Sequence, residues 1–399
     1  MKRSKYVIFI LWVLCFSACS RKTAPTVTAV APRPSVAEHP VIKDTVVYNA
    51  PKEIYKPYVP PFDIHYKDAL AEMENMLLYP EKLSFKRAVF LTENAYCNDT
   101  LNYEKFNRKI SALAQMCQLM IKANRLVYGF EDSVKVAKYA ATFKLITEGV
   151  PMLQDSNKVA YFPPYVYDFE DFSGNKNWNK MFVSKLLETH NGNCHSLPFL
   201  YKIIVEELGE TANLSLAPNH IYIKHQIKKT GWYNSELTSG IFPNDAWLMA
   251  SGYIKLDAIQ NGVYMKALDQ KQSIAICITD LAQGFEKKFG VKDGEFILKC
   301  CNLALSNFPN YINALMLKSE TQKKLFDAMM KKQKAEFASE MFTNPKAKQL
   351  FDDMTKTYAD IHKTGYRKMP DKMYIDWLVS LKTEKAKYQN KNLNFNNSK

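Results

Sequence analysis

The segment from Gly192 to Thr238 reads GNCHSLPFLYKIIVEELGETANLSLAPNHIYIKHQIKKTGWYNSELT. Its apolar first part predicts a helix that begins near Cys194 and runs to Leu208, where Gly209 ends it. Apolar stretches separated by turn signals then predict three short strands, over Ala212–Leu216, His220–Gln226 and Trp232–Leu237. A helix followed by antiparallel strands predicts an α+β fold.

Two residues of this segment have the chemistry of a nucleophilic pair. Cys194 is predicted at a helix N-terminus, where the partial positive charge of the helix stabilises a thiolate and lowers the pKa of the thiol. Backbone N–H groups at the same helix start are predicted to hold an oxyanion. His220 opens the second predicted strand, and a histidine beside a thiolate can stabilise it and later protonate a leaving amine.

A third residue is needed to orient the imidazole ring. If residues 228–230 form the tip of a hairpin, strand alternation places Glu236 opposite Tyr222 and diagonal to His220. Glu236 is therefore the favoured orienting carboxylate. Asn234 lies on the same predicted face and is the alternative, because an amide can also orient a histidine.

Three short blocks of this segment resemble the motifs of the transglutaminase-like superfamily. The blocks are Gly192-Asn193-Cys194, Asn219-His220-Ile221-Tyr222 and Gly231-Trp232-Tyr233-Asn234-Ser235-Glu236-Leu237-Thr238. The resemblance implies a papain-like core in which Cys194 is the nucleophile and His220 the acid and base. The family usually has Asp where this chain has Glu236, whose longer side chain can still orient a histidine.

The chain resembles most the Sir-B-type branch of that superfamily, in which a transglutaminase-like domain precedes tetratricopeptide-like helices. The stretch from Val183 to Leu197 is similar to its signature, and the stretch from Ala304 to Leu315 resembles one degenerate tetratricopeptide unit. Many members of the branch carry Pro at the position of Cys194, which implies that they are not enzymes. The branch therefore also implies a non-catalytic envelope lipoprotein that serves as an interaction scaffold.

The N-terminus indicates an extracytoplasmic protein. A basic start precedes the apolar run Tyr6–Phe16, whose 11 residues are too few to span a bilayer, which needs about 20. The run is typical of a secretory signal, and the small residues before Cys19 resemble the bacterial lipobox. Phe16 departs from the usual Leu of that motif. The prediction is a lipidated Cys19 that anchors the chain to a bacterial membrane, most favourably the outer membrane.

The chain divides into six predicted segments. They are a lipoprotein signal peptide (1–18), a Pro-rich tether (19–62), a helical segment (63–155), a transglutaminase-like core (156–260), a helical, tetratricopeptide-like segment (261–320) and a basic helical C-terminal region (321–399). The tether holds eight of the 18 prolines, which favours a semi-rigid spacer. The fold class expected of the whole is α+β, a papain-like, transglutaminase-like core with flanking helices.

The net charge of +14 first suggests nucleic acid or an anionic membrane as a partner. Residues 321–399 hold 17 Lys and Arg against nine Asp and Glu, so much of the surplus is in the C-terminal region. Secretion makes nucleic acid an unsuitable partner. The basic region is instead predicted to face an anionic lipid, lipopolysaccharide or cell-wall polymer.

Metal and cofactor sites are not predicted. Imidazole and thiolate groups suit zinc, but the spacing of the nearby candidates matches no zinc motif. These candidates are His190, Cys194, His195, His220 and His225. With 13 glycines and no Gly-rich phosphate-binding loop, a nucleotide enzyme is also not expected.

The sequence thus predicts a cysteine-dependent acyl-transfer enzyme of the cell envelope. It would form a thioester on Cys194 from a protein or peptide substrate. Transfer of the acyl group to water gives a peptidase or amidase, and transfer to an amine gives a protein-glutamine transferase. The interaction scaffold is the alternative.

Overall fold

The computed structural model describes residues 63–155, 158–384 and 395–397. The predicted signal peptide, the predicted lipidation site Cys19 and the tether lie outside the described residues. The helices are α1 (Ile64–Leu78), α2 (Phe85–Tyr96), α3 (Tyr103–Ala123), α4 (Ser133–Thr147), α5 (Val183–Thr189), α6 (Ser196–Glu207), α7 (Asp245–Met249), α8 (Leu256–Gln260), α9 (Gln270–Phe289), α10 (Glu295–Asn307), α11 (Ile312–Gln333), α12 (Pro345–Lys363) and α13 (Asp371–Glu384).

The strands are short and form four small sheets. They are β1 (Asn124–Leu126), β2 (Val150–Asp155), β3 (Lys158–Phe162), β4 (Val166–Tyr167), β5 (Asn191–Gly192), β6 (Asn213–Ala217), β7 (His220–Ile227), β8 (Gly231–Ser235) and β9 (Phe395–Asn397). Strands β6, β7 and β8 form a three-stranded antiparallel sheet, while β1–β9, β2–β3 and β4–β5 are two-stranded pairs.

The predicted α+β class, with its papain-like, transglutaminase-like core and a tetratricopeptide-like C-terminal flank, is wrong. The structure is mainly helical, with about 60% of the residues in helices and 10% in strands. The three strands after α6 are present, but they form a small sheet beside a helical core. Fold class depends on which elements bury one another along the whole chain, and a local helix-and-strand pattern does not determine it.

Helices α6 and α9 form the centre of the core. Every residue from Ser196 to Val205 of α6 is buried, which is the pattern of a helix enclosed on all sides. Helix α6 packs on α3, α4 and α5, and α9 packs on α1, α2 and α10. Within the described residues, no helix combines the length and the apolar character needed to cross a membrane.

The three-stranded sheet follows the predicted hairpins closely. Residues Pro218 and Asn219 connect β6 to β7, and Asn219 has a left-handed backbone with φ of 56°. Asn tolerates this conformation better than most residues. In the second hairpin Lys224 pairs with Asn234, so residues 228–230 form the turn, as the sequence predicted.

The C-terminal helices return the chain to the sheet. Helix α12 packs on α11, and α13 then lies over the start of α6. There it joins a small apolar cluster, whose buried members are Cys194, Ile241, Met369, Tyr374 and Leu378. The last helix therefore covers the region in which the sequence predicted the nucleophile.

Candidate functional site

Cys194 lies between β5 and the first turn of α6. The side-chain oxygen of Asn193 accepts hydrogen bonds from the backbone N–H groups of His195 and Ser196, each at 3.0 Å. Gly192 is required by close approach, because a Cβ there would lie 2.5 Å from the hydroxyl oxygen of Ser196. The turn holds the thiol rigidly at the helix start, but it also uses two N–H groups that the sequence had assigned to an oxyanion.

His220 is the first residue of β7, directly after the left-handed Asn219. Its side chain is buried, with 3% of the residue exposed. In the thiol form, Sγ of Cys194 donates to the backbone carbonyl of Asn219 at 3.6 Å. The β6–β7 hairpin thus places the predicted acid and base beside the predicted nucleophile, and both side chains line one cleft.

Glu236 follows the last residue of β8 and completes the constellation. One of its oxygens lies 3.3 Å from Nε2 of His220. The carboxylate also accepts hydrogen bonds from the backbone N–H of Thr238 at 2.8 Å and of Ser239 at 2.7 Å. These bonds fix the carboxylate against the imidazole. Asn234, the alternative, instead donates to Pro243 and Asp245, so the structure brings Glu236 and not Asn234 to the histidine.

The three groups shift one another's pKa values. Burial alone raises the pKa of Cys194, but the hydrogen bond and charge of His220 outweigh burial and lower it. Burial lowers the pKa of His220, while its bonds to Cys194 and Glu236 raise it to about 9. Burial raises the pKa of Glu236, and His220 again reverses the shift. The arrangement therefore favours a thiolate, an imidazolium and a carboxylate near neutral pH.

The other cysteines of the described residues lack this environment. Burial raises the pKa of the Cys117 and Cys301 thiols to about 12, and it raises those of Cys97, Cys277 and Cys300 as well. Together with Cys194 they make six described cysteines, none of which is in a disulfide. Among them, only Cys194 has a lowered thiol pKa, so it is the group with the character of a nucleophile.

A second buried pair, which the sequence analysis missed, adjoins the site. Nε2 of His195 lies 2.8 Å from a carboxylate oxygen of Asp280, and its Nδ1 lies 3.0 Å from the carbonyl oxygen of Met181. Both neighbours only accept hydrogen bonds, so both ring nitrogens carry protons. Burial lowers the pKa of His195, but Asp280 outweighs burial and raises it. No local signal links Asp280, on α9, to Cys194.

A third neighbour that sequence reasoning missed is Tyr374 of α13. Its hydroxyl lies 3.1 Å from Nδ1 of His220 and 3.1 Å from the hydroxyl of Tyr167. It is packed in one apolar cluster with Cys194, and its interaction with that thiol contributes to the lowered pKa of Cys194. Tyr374 lies about 150 residues after the rest of the site, so no motif spacing could have indicated it.

A cleft of about 290 Å³ opens beside these groups. Cys194 and His220 line one side, and Asp280, Tyr311 and Asn313 line another. A cleft of this volume is at the lower end of the range for small-molecule sites, and it can accept a side chain of a peptide.

The remaining histidines of the region face separate partners. His190 stacks on Tyr165 at 4.4 Å between ring centroids, and His225 stacks on Tyr139 at 3.9 Å. In the described part of the chain, no group of three or more His, Cys, Asp or Glu residues is arranged to hold a metal ion.

Comparisons with known proteins do not identify the chain. No protein-family model matches it, and no curated protein matches it. The chain is similar to one solved structure, the crystal structure of menin that reveals the binding site for the mixed lineage leukemia protein. That match covers 80% of this chain and 74% of menin at 11% sequence identity, with a TM-score of 0.32. At this TM-score the likeness shows neither a shared fold nor a shared function.

Proposed function

We propose that the protein is a cysteine-dependent acyl-transfer enzyme with Cys194 as nucleophile, His220 as acid and base, and Glu236 as orienting carboxylate. The observation that carries the proposal is the burial of these three side chains at one place: Nε2 of His220 lies 3.3 Å from Glu236, and Cys194 and His220 line the same cleft. Enzymes of unrelated folds that transfer acyl groups through a covalent intermediate share this arrangement of a nucleophile, a base and a group that orients the base. The proposal therefore does not depend on a papain-like fold.

The reaction would begin with attack of the Cys194 thiolate on an amide carbonyl carbon. A C–S bond forms, the carbonyl electrons move to oxygen, and the tetrahedral intermediate then breaks its C–N bond. The imidazolium of His220 gives its proton to the leaving amine, so a neutral amine departs and a thioester remains. His220, now neutral, takes a proton from water or from an acceptor amine, which attacks the thioester and regenerates the thiolate.

The substrate class follows from this chemistry. An amide within a protein or peptide is expected, and no cofactor is needed for the steps above. Water as acceptor gives a peptidase or amidase, and an amine gives a transferase. Glu236 contributes by holding the protonated imidazole in place, as its contacts with Thr238 and Ser239 fix its own position.

The test is the pH profile of alkylation of each cysteine by iodoacetamide, resolved by peptide mass spectrometry. Cys194 should react with a midpoint well below about 8.5, the ordinary thiol pKa. His220→Ala should slow its reaction about tenfold or more at pH 7, because the thiolate loses its ionic partner. Cys97 is a matched internal control, because its thiol pKa is raised. An unchanged Cys194 profile in His220→Ala would disprove the proposal.

A second candidate is the non-catalytic interaction scaffold. It is favoured by the small exposure of Cys194, 7%, under Tyr374 and its helix. In that case the triad is a buried polar network that stabilises the fold. Cys194→Ser would then lower stability without removing an activity, whereas the enzyme requires that incubation with peptide substrates leaves an acyl group on Cys194 and none on Cys194→Ser.

The proposed cellular place is extracytoplasmic, on a bacterial membrane and most favourably the outer membrane, facing the periplasm or the surface, with a lipid on Cys19 and the basic C-terminal region near an anionic envelope polymer or lipid. Helix α12 and the residues around it provide exposed lysines such as Lys348 and Lys363. Cys19→Ala should abolish fatty-acid incorporation and release the protein from membranes. Continued membrane association of that variant in high salt would contradict the lipid anchor.

A further inference from the structure

Helix α13 covers the proposed nucleophile with one face. Tyr374 is fully buried and Leu378 is 1% exposed, and both lie in one apolar cluster with Cys194. Met369, just before the helix, is 2% exposed and belongs to the same cluster. The spacing of four residues between Tyr374 and Leu378 places them on one side of the helix. This side of α13 faces the thiol.

The polar contacts of α13 use the atoms that the chemistry needs. The Tyr374 hydroxyl lies 3.1 Å from Nδ1 of His220, the ring nitrogen that does not face Glu236. The side-chain amide of Asn219 donates to the carbonyl of Met369 at 3.0 Å, which fixes the segment before the helix to the hairpin of His220. The reactive nitrogen is therefore occupied by the chain's own tyrosine.

The consequence is that a substrate cannot approach this side of the thiol. Attack requires the carbonyl carbon within about 3.5 Å of the sulfur, in line with the proton donor. Tyr374 is packed in the same apolar cluster as Cys194, and its hydroxyl already lies 3.1 Å from Nδ1 of His220. Exposures of 7% for Cys194 and 3% for His220 show that, although both line the adjoining cleft, α13 leaves almost none of either group open to it.

The other face of α13 is partly exposed to solvent, with a hydrogen bond from the Tyr253 hydroxyl to the sulfur of Met373. Met373 is 46% exposed and Val379 is 48% exposed. The helix has 14 residues, a length at which an isolated helix is marginal in water and depends on its packing. A helix held mainly by the cluster at Cys194 can open without unfolding α6 or α9, which form the core. Because one face of α13 packs on the site and the other is partly exposed to solvent, the helix is placed to dissociate from the site.

We propose that α13 is an autoinhibitory element, and that Cys194 becomes accessible to substrates only when this helix leaves the Tyr374 contacts. The proposal rests on the function proposed above, because it assigns regulation to the same thiol. The fraction of molecules in the open state then sets the apparent reactivity.

The experiment compares two neighbouring substitutions in the full chain, Leu378→Asp and Val379→Asp. The first places a charge against the buried cluster and should release α13, while the second places the same charge on the exposed face. We expect iodoacetamide to label Cys194 about tenfold faster or more in Leu378→Asp, and within about twofold of wild type in Val379→Asp. Equal labelling of Cys194 in the two variants would overturn the proposal.

Buried cysteines report whether the whole protein has opened. Cys277 is 1% exposed and Cys300 is fully buried, and both belong to the main core cluster and not to the small cluster at Cys194. They should stay unlabelled in Leu378→Asp. If Cys277 and Cys300 also react in Leu378→Asp, the milder variant Tyr374→Ala is used in its place. The proposal is also overturned if, in both variants, the labelling of Cys194 rises only when the labelling of Cys277 rises too. Hydrogen exchange should increase in residues 371–384 and stay slow in α6.

Failure of the cover and failure of the enzyme are distinguishable. His220→Ala is added to Leu378→Asp, and the pH profile of Cys194 alkylation is measured again. If Cys194 is labelled faster in Leu378→Asp and His220→Ala has no effect on the labelling, the autoinhibitory role of α13 is supported and the proposed enzyme activity is contradicted. If His220→Ala slows the alkylation of Cys194 and Leu378→Asp does not accelerate it, the proposed enzyme activity is supported and the autoinhibitory role of α13 is contradicted.

Discussion

Two buried histidine–carboxylate pairs lie beside Cys194, and they differ in what they can do. His195 pairs with Asp280 at 2.8 Å, and His220 pairs with Glu236 at 3.3 Å. Both histidines have raised pKa values against the effect of burial. By composition the two pairs are equivalent, so composition does not say which one takes part in chemistry.

The difference is the partner of the second ring nitrogen. Nδ1 of His195 donates to the carbonyl of Met181, which cannot give a proton back. Nδ1 of His220 faces the Tyr374 hydroxyl, and the ring lines the same cleft as the thiol of Cys194. Both of those groups can donate and accept. His195 therefore keeps its proton and supports the fold, whereas His220 can exchange its proton with its neighbours.

The largest expected effect is the loss of stability when the fixed pair is broken. Asp280→Asn should lower the free energy of unfolding by about 3 kcal/mol, because it leaves a buried imidazolium without its charge partner. Urea denaturation followed by circular dichroism measures it. The control is Asp352→Asn, which breaks the exposed pair with Lys348 and should cost less than about 0.5 kcal/mol. Equal losses in the two variants would mean that the His195 pair is not structural.

The next effect is a pH dependence on the His195 side, from the nearby Glu93. Burial raises the pKa of Glu93 to about 7, although two backbone N–H groups and His195 act in the opposite direction. The folded form thus holds its proton more tightly than the unfolded chain. Stability from this group is fully present below about 4.5 and is lost as the pH rises from there through about 7, on the order of 3 kcal/mol.

The measurement is the free energy of unfolding in urea between pH 4.5 and 8. Glu93→Gln should flatten the decline over this range, since glutamine does not titrate. A surface control is Glu340, in a turn before α12, whose replacement by Gln should leave the decline in place. A decline that persists unchanged in Glu93→Gln would assign the pH dependence to other groups.

A smaller effect is expected on the reactive pair. Glu236→Gln removes the charge that helps to hold the proton on His220, so the alkylation profile of Cys194 should move upward by about one pH unit, which is about tenfold in rate at pH 7. Asp280→Asn should move that profile less, because it acts on the other histidine. Equal shifts in the two variants would remove the distinction between the pairs.

The smallest effect concerns Asn234, the alternative orienting residue. Its amide donates to Pro243 at 2.9 Å and to Asp245 at 2.8 Å, away from His220. Asn234→Ala should therefore change the alkylation rate of Cys194 by less than about twofold, while lost hydrogen bonds lower stability by about 1 kcal/mol. A large change in the alkylation rate of Cys194 would indicate that Asn234 does take part in orienting His220.

Much of the candidate site was predictable because it is local. Helix α6 begins two residues after Cys194, and β7 begins at His220 as expected. The hairpin register that pairs Lys224 with Asn234 also places Glu236 opposite Tyr222, as strand alternation had indicated. Short turns fix register, and register fixes which side chains share a face, so these features follow from a few neighbouring residues.

The fold class and the remaining neighbours of the thiol could not be predicted in this way. The α+β prediction was wrong because it assigned the fold class of one segment, with its three-stranded sheet, to the whole chain. The core is instead formed by α6 and α9. Asp280 and Tyr374 reach the site from distant helices, through packing that no spacing rule describes.

The local sequence was enough to predict that Cys194, His220 and Glu236 lie together, because one helix start and two hairpins define that arrangement. The packing of distant helices was needed to reveal the pairing of His195 with Asp280 and the contact of Tyr374 with His220. Those outcomes depend on contacts between residues far apart in the chain, and such contacts are set by how whole helices bury their apolar faces against one another.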